Sequence, residues 1–108
     1  MTARRQPSAA AEVRRAAGPA PTRREVERTL RSEGLEPHAW GNGAHARYQR
    51  HHHGYHKVLY CVAGGIVFHT DAGELTLGPG DRLELPGGVG HAATVGPDGV
   101  ECVEAYRW

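Results

Sequence analysis

From residue 46 onward, apolar and polar residues fall into short runs separated by glycine-containing segments. The runs are Val58 to Val62, Ile66 to Thr70, Glu74 to Leu77, Arg82 to Leu85, Ala92 to Val95 and Val100 to Ala105. Between them stand Ala63-Gly64-Gly65, Asp71-Ala72-Gly73, Gly78-Pro79-Gly80, Pro86-Gly87-Gly88 and Gly96-Pro97-Asp98-Gly99, all combinations that turn a chain. Short strands at this spacing predict an all-β sandwich or barrel. Upstream the period changes. Thr22-Arg23-Arg24-Glu25 reads as a capping box, Val26 and Leu30 share a face at i, i+4 spacing, and Gly34 closes the segment. This predicts a helix over 23–33 on the outside of the barrel. Residues 1–20 show no periodicity and end in Gly18-Pro19-Ala20-Pro21, so the expectation there is a disordered arm. The division is therefore arm 1–20, helix and connector 21–39, and barrel 40–108.

A chain of 108 residues supplies one core of ordinary size. Fifteen glycines and seven prolines against a single Phe and a single Met describe a chain that turns often and buries modest aliphatic groups. Net charge is +1, but residues 1–24 hold six arginines and one acid, which leaves the remainder acidic. A basic arm can touch nucleic acid or acidic lipid. This one carries no aromatic residue to stack on bases, so a solvated tail is the favoured reading and no nucleic-acid partner is expected. No apolar run has the length of a membrane span or a secretory signal, which leads to the expectation of a soluble, cytoplasmic protein without a membrane partner. The Arg-rich, Ala-rich start also has a faint likeness to an organelle transit peptide. Cys61 and Cys102 form no CxxC pair, and two buried free thiols are expected in a reducing cytosol.

The densest chemistry is His51-His52-His53-Gly54-Tyr55-His56. On an extended strand, residues i and i+2 face the same way, so His51 and His53 can present two imidazoles to one ion. A third histidine from another strand would complete a facial set with positions left open for water or substrate. The alternative on spacing alone is a solvated polar loop.

Two stretches resemble the paired sequence motifs of the cupin superfamily. In the first, His51 and His53 fit the HxH element, Lys57 falls where the family has its metal-binding Glu, and Gly64 follows after six residues. In the second, Gly80, Pro86, Gly88 and His91 all fall at the family's spacing, with Val95 in place of the terminal Asn. The glycine that opens the first motif is Gly43 here rather than residue 45. The resemblance covers roughly residues 40–106. It implies a double-stranded β-helix, the jelly-roll cupin barrel, with His51, His53 and His91 pointing inward around a divalent iron, manganese, nickel or zinc ion. The glycines of residues 86–90 permit the loop that would bring His91 beside the other two.

Lys57 is the only lysine in the chain. An ammonium about 4 Å from a divalent cation is repelled by roughly 8 kcal/mol at an effective dielectric near 20. Lys57 therefore turns away, gives up its proton, is bridged to the metal by an anionic substrate, or pairs with Glu84, Glu101 or Glu104 in a barrel without metal. His56 could serve as a fourth ligand if a bulge turned it inward, although strand alternation sends it to the opposite face. Tyr48, Tyr55, Tyr60 and Cys61 are candidates for the barrel interior or mouth. His38, His45, His52 and His69 are assigned to the surface.

Fold alone does not name a function. The site favours a metal-dependent enzyme of the dioxygenase or isomerase type, acting on a small polar or anionic molecule with Lys57 as a catalytic residue. The alternative is a non-catalytic small-ligand binding or sensor cupin. Family members commonly pair through barrel edges, so a homodimer is expected.

Overall fold

The computed structural model describes residues 10–108. Along the chain run β1 (Glu12–Arg14), α1 (Arg23–Ser32), β2 (His38–Asn42), β3 (Arg47–His51), β4 (His56–Thr70), β5 (Gly73–Leu77), β6 (Arg82–Leu85) and β7 (His91–Arg107). The all-β jelly-roll expectation holds, but its strands join differently. Four of the predicted short strands fuse in pairs, giving the two long strands β4 and β7. These pair antiparallel from His56↔Arg107 to Thr70↔His91.

Each long strand serves two layers. The first half of β4 pairs with β6 and its second half with β5, while the first half of β7 pairs with β3 and its second half with β2. Register shifts between Cys61 and Ala63 and between Gly64 and Ile66 mark the fold line, as bulges do where a sheet must turn a corner. The pinch is tightest at Gly64, whose φ is 74° and where an added Cβ would lie 2.0 Å from the Gly99 carbonyl oxygen. Only glycine fits there.

Alternation along β4 and β7 then sorts the side chains. Leu59, Cys61, Ile66, Phe68, Ala93, Val95 and Cys102 fill the space between the layers with Leu77, Leu83 and Leu85. Val58, Tyr60, Val103 and Ala105 point outward and are covered by Val26 and Leu30 of α1. The helix starts at the capping box read from the sequence, with Thr22 Oγ1 accepting from Glu25 N and Glu25 accepting from Thr22 N. It closes on Gly34 at φ 82°.

The disordered-arm expectation needs correction within the described residues; residues 1–9 lie outside them. Glu12–Arg14 form a strand on the free edge of β6, in the register Glu12↔Glu84, Val13↔Leu83 and Arg14↔Arg82. Asp81 then fastens the following residues, accepting from Ala16 N at 3.0 Å and Arg15 Nη1 at 2.9 Å, while Gly78 N bonds to the same carboxylate. An unpaired edge strand favours such a partner, and Val13 packs against the core. No helix among the described residues is long and apolar enough to cross a membrane.

Candidate metal centre

His51 is the last residue of β3 and pairs across the sheet with His91, the first residue of β7. His53 lies two residues past the strand end, and its imidazole still reaches the same spot. The ring centroids are 4.7 Å apart for His51 and His53, 4.4 Å for His51 and His91, and 5.2 Å for His53 and His91. One ligand atom from each lies within 4.8 Å of the others. Two loops hold this arrangement. Gly88, at φ 86°, donates its amide to the carbonyl of His53 at 2.8 Å, tying the loop before His91 to the loop carrying His53.

The hydrogen bonds around the imidazoles decide which nitrogen is free. His51 Nδ1 sits 2.7 Å from the Gln49 carbonyl oxygen and His91 Nδ1 3.0 Å from that of Val89. A carbonyl only accepts, so in both rings Nδ1 carries the proton and the Nε2 lone pair is left open, the arrangement found in metal-ligating histidines. His53 Nε2 is buried without any hydrogen-bond partner. A buried polar nitrogen left unpaired is costly unless something occupies the space before it. The donor set therefore fits a first-row divalent ion: three nitrogens, neutral and converging. Burial, reinforced by the charge of Lys57, depresses the His53 pKa to about 4. Burial also lowers that of His91, against the pull of its bond to Val89. Both rings are thus uncharged at neutral pH, each with one ring nitrogen unprotonated.

A cavity of about 560 Å³ opens beside the imidazoles. Ile66, Phe68 and Ala93 form its apolar part, and Trp40 and Tyr48 meet edge to face at 5.7 Å between centroids. Lys57, Glu104 and Tyr106 line it as well. Lys57 is buried and pairs with Glu104 at 3.3 Å. The Glu104 carboxylate also accepts from Trp40 Nε1 at 2.9 Å and Tyr106 Oη at 2.8 Å. Of the arrangements open to Lys57 in the sequence, the structure selects pairing with Glu104 beside, not instead of, the histidine cluster.

The remaining candidates separate. His56 faces the other side of the sheet, 2.5 Å from Glu84 Oε1, and is not brought to the cluster. His52 is exposed. His38 stacks on Tyr106 and borders the cavity, while His69 bonds to Glu74 and Thr94, partners that the sequence did not reveal. Tyr55 stacks on His53 at 4.8 Å, Tyr48 lines the cavity, and Tyr60 points outward to Arg82. Cys61 and Cys102 are free, buried thiols, yet they stand directly opposite each other on β4 and β7. Trp40 and Tyr106 were not foreseen as site residues, and Glu104 was foreseen only as one of three possible partners of Lys57. For Glu104 and Tyr106 the signal was the alternation of β7, which places Val100, Cys102, Glu104 and Tyr106 on one face; Trp40 lies on β2.

No protein-family model and no curated protein sequence matches the chain. Solved structures do. A DMSP lyase is 27% identical over 68% of this chain and 38% of its own, with a TM-score of 0.64. This chain thus spans well under half the length of that enzyme. An RmlC-like cupin from Shewanella frigidimarina is 25% identical over 67% of this chain and 64% of its own, with a TM-score of 0.59. KdgF from Halomonas sp. is 23% identical over 68% of this chain and 70% of its own, with a TM-score of 0.56. With the motif spacing, the folded-over pair of layers and these likenesses together, the chain belongs to the cupin superfamily.

Proposed function

We propose that the protein binds a divalent iron, manganese, nickel or zinc ion through His51, His53 and His91 and is a metal-dependent enzyme acting on a small anionic molecule. The observation that carries this reading is the convergence of the three imidazoles with the buried His53 Nε2 left without a partner. When bound, the metal supplies Lewis-acid polarisation or oxygen activation. The chain's own residues hold and orient the ligand. The backbone carbonyls of Gln49 and Val89 fix two of the rings, and Tyr55 packs flat on the third. Phe68 and Ile66 keep water from one side, and Lys57 remains available to donate a hydrogen bond to the ligand while Glu104 balances its charge. A lyase among the similar structures supports a catalytic use of such a pocket. The same proposal includes a cytoplasmic setting, in which Cys61 and Cys102 stay reduced, and a homodimer that covers an open sheet edge.

The test is metal analysis of untagged protein by mass spectrometry, followed by titration of the stripped protein with Ni²⁺, Mn²⁺, Fe²⁺ and Zn²⁺. One ion per chain, lost in His53→Ala, is the expected result; no stoichiometric uptake of any of the four would overturn the proposal. Turnover of no small acid by a loaded protein that nevertheless binds such acids would favour the non-catalytic binding role, to which the lysine at the family's Glu position points. Sedimentation of a monomer alone at micromolar concentration would remove the dimer.

A further inference from the structure

Lys57 poses an electrostatic problem that the three histidines cannot solve. Neutral imidazoles offer no charge to offset a divalent ion, and the one lysine of the chain is buried in the wall of the cavity that His51 and His91 also line. Its charge is felt at the cluster. After burial, the charge of Lys57 does most to push the His53 pKa down, whereas that of Glu104 pushes it up. A chain of contacts joins the same groups. Tyr55 stacks on His53 at 4.8 Å between ring centroids and meets Tyr106 at 4.5 Å, and the Tyr106 hydroxyl donates to Glu104 Oε2 at 2.8 Å. Glu104 Oε1 accepts from Trp40 Nε1 at 2.9 Å and lies 3.3 Å from Lys57 Nζ. Glu104 is buried too, and it is not among the groups whose ligand atoms converge. Held by three donors, its carboxylate cannot turn away from the lysine without leaving buried groups unpaired.

Resting on the metal-binding reading above, we infer that Glu104 sustains the affinity of the three-histidine centre for its ion, by cancelling the charge of Lys57 and tethering its ammonium. Glu104 acts through Lys57, which makes it a positioning residue and not a fourth ligand. The two side chains work as a unit of zero net charge. Removing the carboxylate alone leaves a buried cation to oppose the metal, and removing the lysine alone leaves a buried anion to attract it. Removing both returns the surroundings to neutrality.

The experiment is a double-mutant cycle read as Ni²⁺ affinity, by calorimetric titration of the stripped protein. Glu104→Gln, which keeps the shape and an acceptor oxygen, should weaken Ni²⁺ binding at least about fivefold, and Lys57→Met should tighten it about threefold. Lys57→Met/Glu104→Gln should return to within about twofold of the wild type. That rescue is the readout a merely structural role would not give, because damage to the cavity wall adds up in the double variant instead of cancelling. Unchanged affinity in a folded Glu104→Gln overturns the inference. So does a double variant as weak as Glu104→Gln, the result expected if the carboxylate were itself a ligand. Should Glu104→Gln fail to fold, Lys57→Met decides alone, and Ni²⁺ binding no tighter than in the wild type overturns the inference. A wild type that takes up no Ni²⁺ overturns the metal reading and this inference with it, whereas one Ni²⁺ per chain in a cycle without rescue overturns this inference alone.

Discussion

Two clusters of charged and titratable side chains, one on β4 and β6 and the other on β3, the loop after it and β7, are built on opposite principles. On the outer face, beside α1, buried Arg82 bonds to both oxygens of Glu33 at 2.7 and 2.9 Å, to Glu84 at 2.7 Å and to the Tyr60 hydroxyl at 3.0 Å. His56 completes Glu84 from the other side. Here every donor meets an acceptor. The bond from Arg82 holds the Glu33 carboxyl below its ordinary range, and burial that would raise Glu84 is outweighed by its bonds to His56 and Arg82. On the inner face, His51, His53 and His91 each bring one ligand atom to within 4.8 Å of the others, and the buried His53 Nε2 has no hydrogen-bond partner. A closed network stabilises the fold; an open one, costly to the fold, is where a ligand is expected.

The largest test of that contrast removes the hub of the closed network. Arg82→Met should destabilise the protein by roughly 3 kcal/mol, since Glu33 and Glu84 lose their main cation while remaining partly buried. Metal affinity should be unchanged, as read by denaturant melts and Ni²⁺ titration on the same sample. A drop in affinity would mean that the two faces are not independent. The reciprocal variant, His91→Ala, should weaken Ni²⁺ binding by at least about a hundredfold, while His52→Ala leaves it intact. Equal effects from His52 and His53 would displace the strand register by one residue.

The two clusters should also part company with pH. In the metal-free protein the pKa of His53 is about 4, against 6.5 ordinarily, and that of His91 is lowered too. Below pH 6.5 the unfolded chain takes up protons that the folded site refuses, so stability falls between about pH 6.5 and 4, by roughly 2 kcal/mol after allowance for partial solvent exposure. The lowered carboxylates Glu33 and Glu84 act in a lower window. Their contribution is full above the ordinary 4.5 and is lost as pH falls through their depressed values. Melts from pH 8 to 3 should show two separate declines, and His53→Ala should flatten only the upper one. The smallest effect is expected from Lys57→Glu, which exchanges a repelling charge for an attracting one and should tighten Ni²⁺ binding about tenfold. Unchanged affinity would place residue 57 too far from the ion to matter.

The unequal legibility of these regions has a physical cause. His51, His53 and His91 could be found because the spacing that positions them is local: a period of two on one strand, and a glycine loop before the third histidine. The helix was legible for the same reason, its capping box and the Val26/Leu30 pair lying within three turns. Glu104 was not. Both faces of β7 are buried, one by the opposite layer and one by α1, so Val100, Cys102 and Glu104 alternate with Glu101, Val103 and Ala105 without a polar face to show which side is inside. The pairing of Lys57 with Glu104 across 47 residues depends on the register of two long strands, which no local pattern states. β1 escaped notice because three residues are too few to display a period, and its partner edge exists only after the sheet has formed.

The bond from the Gly88 amide to the His53 carbonyl gives the metal centre a built-in reporter. Since it is the hydrogen bond that joins the two ligand-bearing loops through their backbones, that amide proton can exchange with solvent deuterium only when the loops part. Its exchange rate therefore clocks the opening of the site itself, whatever the rest of the barrel is doing, and an ion held by residues on both loops should slow this one proton far more than its neighbours along the chain.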